Sequence, residues 1–557
     1  MKSRLHRLEI RNFKAFREPF TLELEGRHLL VYGSNGSGKS SLYWALYTFL
    51  QSANKPTPGV AKYFDPADPQ NLLNIHEKDP ATKPGEIALT LRDIATKNDT
   101  TYRISQTVHG TRQQPAILKG DLASDFITYR FFFGFSDFRN SQTFNVWPLF
   151  EKEILPFCVT TAGGRQTPVQ MWNAIRSGQP NPYANKGRAG TYAYADFHSA
   201  TKRFAAILPG IIDAISSEAQ SFYDTHFAKD DQPRKITLKL GLTTPPSSSG
   251  DNQAEFRFTP PAIGFGVKID GRTIDRPQSF LNEAKMTQLA LSVRFAASLV
   301  NLHESDLKLL VLDDLLVSLD MSNRMKVVEI LLSDTFENYQ KIILTHELGF
   351  FREFRRKLGP DHPDWSCVSL EGTPATAISG RTVKTDLQKA EEYLNGYNLD
   401  EAALCLRKVA EDTAKRFIDH NEVLPTKDFV GLTEALRAAR NKIQAELPVE
   451  LYEKVVRNTP NAHRNLLIAS DDSDLDGNTA LDPQTKGRLK TNRNRLRSLI
   501  STEHVERLKT VKLIDDILAC TERVLNPAAH SGSPPLYKKE VQDALNLIAQ
   551  LEIRLAS

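Results

Sequence analysis

Cysteine is scarce in this chain of 557 residues: Cys158, Cys367, Cys405 and Cys520 lie far apart and form no CxxC pair. That spacing argues against a cysteine zinc motif and a disulfide framework, and it suits a reducing cytoplasm. Long apolar runs are missing as well. The longest, Leu289 to Leu302, is broken by Arg294, so neither a transmembrane helix nor a membrane partner is expected. The opening stretch MKSRLHRLEIRNF has no apolar signal core. Charge of one sign does not dominate: the net charge is only +4, so any nucleic-acid site must be a local patch. No internal repeat is visible. Between residues 42 and 279 no heptad pattern is sustained, which argues against a long coiled-coil arm. The length exceeds what one core can serve, and about three or four lobes are expected.

What is present begins with GSNGSGKSS, Gly33 to Ser41. The apolar run Leu29-Leu30-Val31-Tyr32 precedes it and the helix-like Leu42-Tyr43-Trp44-Ala45-Leu46 follows. Strand, glycine-rich loop and helix are the context of a P-loop. Gly33, Gly36 and Gly38, with Asn35, let successive backbone N–H groups turn toward phosphate oxygens. Lys39 reaches the β- and γ-phosphates of ATP, Ser40 binds Mg²⁺ through its hydroxyl, and Ser41 extends the phosphate-facing turn. The helix N-terminus adds a favourable dipole.

Further chemistry lies downstream. In LKLLVLDDLL, residues 307–316, a buried-type strand ends in two carboxylates. Asp313 is placed to hold Mg²⁺ and Asp314 to orient an attacking water. Ser318-Leu319-Asp320 follows closely. A second apolar strand, Lys341 to Thr345, ends at His346. Between the P-loop and these strands, Leu281-Asn282-Glu283-Ala284-Lys285 opens an amphipathic helix, and Asn282 can donate a hydrogen bond to a phosphate. Near the start stands IRNFKAF, Ile10 to Phe16.

In this order the motifs resemble the ABC-type ATPase head of the RecF/SMC class over residues 1–375. The resemblance implies an α/β head with a mixed sheet and flanking helices. It makes 307–316 the Walker B strand, Asp320 a D-loop residue at the nucleotide, His346 the switch histidine and 281–285 the signature motif. It also implies that Arg11 and Asn12 approach the nucleotide. Gln142 is the candidate Q-loop residue. ATP and Mg²⁺ are the implied cofactors, and the implied assembly is a homodimer sandwiching two ATP molecules, with the P-loop of one head facing Asn282 of the other.

Within the head, Gly85 to Ile94 and Thr101 to His109 alternate as two strands joined by a polar turn. A compact insert is expected at about 160–275. There Val169 to about Phe227 reads as helical, followed by short strands at 235–240, 255–258 and 265–269, with Thr243 to Asn252 a flexible loop.

Strand signals end after Thr373, and residues 376–557 read as an all-α domain. Helices are expected at Asp386–Asn395, closed by Gly396, then from Asp400 to about Phe417, and around 429–447, 503–525 and 537–555. Residues 471–487 read as a break. Arg407 and Glu411 share a helix face at i,i+4. In Arg523-Val524-Leu525-Asn526-Pro527-Ala528-Ala529-His530, the proline ends a helix just before the histidine. These segments resemble the HEPN domain of defence ribonucleases, and Arg407, Glu411 and His530 resemble the pattern of the anticodon nucleases PrrC and RloC. The resemblance implies metal-independent RNA cleavage, with His530 as general acid or base, Arg407 stabilising phosphate charge, and Glu411 orienting Arg407 or accepting a proton. The plain alternative is an exposed ion pair and a surface histidine. The basic run Lys486 to Arg497 is either a phosphate-binding patch or a solvated helix face.

Three functions are compatible with this sequence. The first is a cytoplasmic anti-phage defence ATPase gating its own RNase, with tRNA or another RNA as partner. The second is a Septu-like ATPase that controls a separate nuclease or inhibitor protein through a helical docking domain. The third is a RecF-like DNA-repair ATPase.

Overall fold

The computed structural model describes residues 3–80, 82–136, 144–158, 167–180, 191–231, 234–252, 255–274, 276–300, 305–315, 321–358, 363–421, 431–445, 472–499, 502–526 and 535–555. The chain divides into two compact units rather than three or four: Met1–Phe354 with Pro363–Val383, and Arg355–His362 with Lys384–Ser557. The expected insert adds no further unit because its long helix, Thr191–His226, lies along Glu283–Val300 of the first unit. Phe222 and Phe295 meet there with ring centroids 5.6 Å apart.

The first unit contains two large sheets. One is antiparallel, in the order β2 (Phe20–Glu23), β1 (Ser3–Arg11), β4 (Glu86–Asp93), β5 (Asp99–Ser105). The other has six strands in the order β15 (Ser379–Thr382), β14 (Trp365–Glu371), β3 (His28–Gly33), β13 (Gln340–Thr345), β12 (Leu309–Asp313), β6 (Asp125–Thr128). All its neighbouring pairs are parallel except β14 with β15. Leu29, Leu30 and Val31 of β3 and Leu309 to Leu312 of β12 are buried, as parallel strands covered on both faces require. Gln340, fully buried, ties the sheets together: its side chain accepts from Leu5 N at 2.7 Å and donates to Leu5 O and Arg27 O at 2.9 and 2.8 Å.

A smaller sheet pairs β7 (Ile236–Thr244) with β10 (Ala262–Ile269) and β10 with β11 (Arg272–Ile274). The loop expected at 243–252 is corrected. β7 continues to Thr244, and β8 (Ser247–Ser249) pairs with β9 (Arg257–Thr259). Local composition favours a loop there, but the His198 ring holds Ser248 Oγ at 2.7 Å and Gly250 O at 3.0 Å. The expected end of strand structure after Thr373 is also corrected by β15. All four of its residues are exposed, so it carries no hydrophobic alternation.

The second unit is helical, with helices Asp386–Asn395, Leu399–His420, Leu432–Ala445, Pro483–Leu499, Thr502–Cys520 and Lys538–Leu555. Thr385 and Gln388 form a capping box at the first. That helix ends at Gly396 as expected, but the left-handed residue is Tyr397, φ 61°, not the glycine. The break expected at 471–487 is instead largely helical. Asp482 Oδ1 accepts from Gln484 N and Thr485 N, each at 2.9 Å, and so starts the Pro483–Leu499 helix.

Candidate functional site

The parallel sheet brings three strand ends together. β13 lies between β3 and β12, with Val31 opposite Leu344 and Leu344 opposite Asp313. The loop after β3, the carboxylates after β12 and the histidine after β13 therefore share one carboxyl edge, where open α/β sheets bind ligands.

The loop after β3 depends on its glycines. Gly36 and Gly38 have φ of 87° and 98°, in the left-handed region. A Cβ on Gly38 would stand 2.8 Å from Ile378 and 3.3 Å from Phe16, and one on Gly33 would collide with Ser37 Oγ. Gly38 N-caps the helix Lys39–Ser52. Lys39, 4 % exposed, donates from Nζ to Gly33 O at 2.8 Å and Ser34 O at 3.1 Å. Burial lowers its pKa, against the opposing pull of Asp314 and Asp313. Ser41 Oγ accepts from Ala15 N at 3.2 Å, tying the segment after β1 to this helix.

Asp313 is pushed up to about 6, chiefly by burial, while its hydrogen bond with Ser40 pulls the other way. Its Oδ1 is buried without a hydrogen-bond partner. A hydroxyl and a carboxylate in contact, with one buried oxygen unsatisfied, suit Mg²⁺, which prefers few protein oxygens. Asp314 has φ 49°, costly for a residue with a Cβ. Its N–H donates to Leu344 O at 3.0 Å, which fixes it across to β13. Its Oδ1 accepts from His346 N at 3.0 Å and faces His346 Nδ1 at 2.9 Å. Asn35, Gly36, Gly38, Lys39, Ser40, Ser41 and Asp314 are among the residues lining a cavity of about 500 Å³.

Arg11 and Asn12 are bonded to the 74–84 segment. Arg11 Nε donates to Pro84 O at 3.1 Å. Asn12 is fully buried, donates from Nδ2 to Lys83 O at 2.7 Å and accepts from Asn74 N at 3.1 Å. Neither lines the cavity; Asn12 shapes a loop that does. Asn282 is exposed, and its Oδ1 caps Glu283–Val300 by accepting from Lys285 N at 2.8 Å. That leaves its amide hydrogens for a ligand. Asp320 and Gln142 lie outside the described residues.

Sequence reasoning missed the ties around this edge. Buried Asn323 donates to Ala284 O at 3.0 Å and accepts from Gln288 Nε2 at 3.0 Å. Next to it, Arg324 pairs with Glu347 beside His346. The helix Met321–Leu332 thus touches both the 281–285 segment and the end of β13.

In the second unit, Arg407 Nη1 donates to Asn526 Oδ1 at 2.6 Å. Glu411 accepts from Lys415 Nζ at 2.6 Å. The i,i+4 geometry that sets Glu411 on the face of Arg407 also serves Lys415, which donates to the Glu411 carboxylate. Arg523 pairs with Glu540 at 3.1 Å. His530 lies outside the described residues. In the basic run, Lys490 is paired with Asp476 at 2.6 Å and Arg493 is buried, so it is not a uniformly free face.

Comparison with known proteins agrees with the motif order. The family model described as the RecF/RecN/SMC N terminal domain matches residues 4–362. Among solved structures, a Pyrococcus furiosus Smc head domain, with an extended coiled coil and bound to the C-terminal domain of ScpA, is 12 % identical. The match covers 71 % of this chain and 100 % of that one, with a TM-score of 0.38. The recombination mediator RecF-ATPrS of the RecFOR pathway is also 12 % identical, covering 69 % and 98 %, with a TM-score of 0.40. An SMC head domain from Thermotoga maritima is 13 % identical, covering 68 % and 99 %, with a TM-score of 0.31. No curated protein matches the chain significantly.

Proposed function

The chain belongs to the RecF/RecN/SMC N-terminal domain family, and on that premise we propose that its ABC-type ATPase head hydrolyses Mg²⁺-ATP as a nucleotide-closed homodimer in the cytoplasm. The observation that carries this reading is the meeting of Lys39, Ser40, Asp313, Asp314 and His346 at one sheet edge. Lys39 leaves the loop carbonyls to meet phosphate oxygens. Ser40 and Asp313 would hold Mg²⁺, which would supply charge neutralisation at the phosphates. Asp314, fixed by Leu344 O and His346, presents Oδ2 to orient a water. Asn282 contributes its amide to the partner head's site. Four free cysteines suit a reducing compartment, and among the described residues no helix is long and apolar enough to cross a membrane. Phosphate release from ATP by the purified chain, with Mg²⁺ and with a chelator, tests the reading. Metal-dependent release supports it, and its absence in every nucleotide and metal condition contradicts it.

A second reading adds an RNase acting on tRNA, gated by the head in anti-phage defence. Its support is the Arg407–Asn526 bond, which sets a cation beside the residue that opens Asn526-Pro527-Ala528-Ala529-His530. Total tRNA incubated with the chain, with and without ATP, distinguishes the alternatives. Defined fragments made by the chain alone indicate an RNase. Cleavage only with a co-purifying nuclease indicates a Septu-like docking role, and DNA binding without cleavage a RecF-like one.

A further inference from the structure

In the second unit, the helix Asp386–Asn395 ends in a turn that costs more than its sequence requires. Tyr397 N donates to Leu394 O at 3.2 Å and Asn398 N to Tyr393 O at 2.8 Å. These bonds make a Schellman turn whose left-handed residue is Tyr397, φ 61°. Glycine is the usual residue there, because a Cβ makes that conformation costly. Gly396 stands one position earlier with an ordinary φ of −82°. Burial does not recover the cost, since Tyr397 is 71 % exposed. Instead, Lys538 Nζ lies 4.2 Å from the centre of its ring. Lys538 opens the helix Lys538–Leu555, and before it stands a second exposed tyrosine, Tyr537. The Arg523 guanidinium lies over that ring at 5.8 Å, held by Glu540 at 3.1 Å and by Pro535 O at 3.2 Å. Lys539 is exposed beside them. The turn at 396–398, the helical turn Thr521–Leu525 and the start of the last helix thus share one surface on which rings and cations alternate.

We infer that this surface binds single-stranded nucleic acid, with one base stacked on Tyr397, one on Tyr537, and phosphate at Lys538 and Lys539. A cation lies at one face of each ring, and a base takes the other. Strain at an exposed residue points to a ligand, because nothing within the unit repays it in full. A protein partner would bury the tyrosines together with the cations beside them, at a desolvation cost that a phosphate removes. A duplex keeps its bases stacked on one another and offers no face to a tyrosine. Glu392 and Glu540 are engaged by Lys384 and Arg523. Exposed Glu391 and Asp543 on the same helices keep the surface from being strongly basic, so stacking carries more of the binding than charge does. Stacking also makes the surface tolerant of sequence, since every base has a π-face. The inference requires neither ATP hydrolysis nor RNA cleavage, though a strand held here would be the substrate class of the RNase reading.

The test is fluorescence anisotropy of labelled RNA and DNA single strands of mixed sequence, and of a DNA duplex, with the full chain. Tyr397→Gly removes the ring and suits the left-handed turn, so thermal stability is retained. Tyr397→Gly and Tyr537→Ala each weaken single-strand binding by about tenfold or more, while Tyr397→Phe keeps the wild-type affinity. Any affinity for duplex is the same in the variants as in the wild type. With two lysines at phosphate, log affinity falls against log salt with a slope of only about −1 to −2. Phosphate release from ATP is the same in every variant, which keeps this test separate from that of the ATPase reading. Binding of RNA or of DNA supports the proposal, and the tighter of the two names the source. Failure of the wild type to bind either strand overturns it, as does unchanged strand affinity in Tyr397→Gly and Tyr537→Ala. An equal loss of duplex affinity in these variants overturns it too. A changed oligomeric state in Tyr397→Gly with unchanged strand affinity would make the surface a protein contact and overturn it likewise.

Discussion

Asp314 combines a strained backbone with a place at the sheet edge where we propose that ATP is hydrolysed. The left-handed conformation costs about 1 kcal/mol or more, and it persists because Leu344 O and the His346 backbone and ring hold the residue. Asp313 precedes it as an ordinary strand residue with an unsatisfied buried oxygen. The pair thus divides into one carboxylate suited to metal and one suited to water. Lys39 belongs to the same edge and is bound for now to Gly33 O and Ser34 O. Lys39→Ala removes a charge-assisted contact to phosphate, worth about 1.5–3 kcal/mol, so nucleotide affinity should fall by roughly ten- to a hundredfold in a calorimetric titration. Affinity within twofold of the wild type would remove Lys39 from the site. These residues were legible in the sequence because each sits in a short contiguous motif at a strand end. The loop-fastening contacts of Asn12 and Asn74 were not, because they join loops far apart in the chain.

The helix Glu283–Val300 shows how an element can hide its reason. Arg294 interrupts its apolar run and argues from the sequence against a membrane helix. In the fold it is 1 % exposed and grips Asp125 of β6 in a fork, with bonds of 2.7 and 2.5 Å, while Ser298 also donates to that carboxylate. This pins the sheet's edge strand to the helix. Arg294→Met leaves Asp125 buried without its cation and should cost about 3–5 kcal/mol, whereas Arg294→Met with Asp125→Leu should recover most of it. Urea unfolding of the three proteins measures this; a double variant no more stable than the single one would contradict the pairing account. Strand alternation made β4 and β5 readable in advance. β8 and β15 escaped that reading because one is a serine run held by His198 and the other is exposed throughout.

At the scale of the whole molecule, the head is where sequence and structure agree most closely, and the proposed RNase role of the helical unit turns on the Arg407–Asn526 bond and His530. Asn282→Asp retains an oxygen to cap the helix but sets a negative charge beside a triphosphate. It should weaken nucleotide-dependent dimers by about a hundredfold or more in light scattering with Mg²⁺-ATP; an unchanged dimer would exclude Asn282 from the partner's site. If the helical unit is an RNase, Arg407→Ala and His530→Ala should each abolish RNA cleavage or cellular toxicity with ATP turnover retained. Wild-type toxicity in both variants would leave that unit a docking surface.

The proposed function stands or falls with an Mg²⁺-ATP hydrolysis centre at the carboxyl edge of β3, β13 and β12. Asp314→Asn tests it most directly, because asparagine keeps the size, tolerates positive φ and removes only the carboxylate charge. Phosphate release and ATP binding are measured on the same preparation beside the wild type. Turnover should fall by about a hundredfold or more while ATP affinity stays within about threefold. Turnover at the wild-type rate in Asp314→Asn would contradict it.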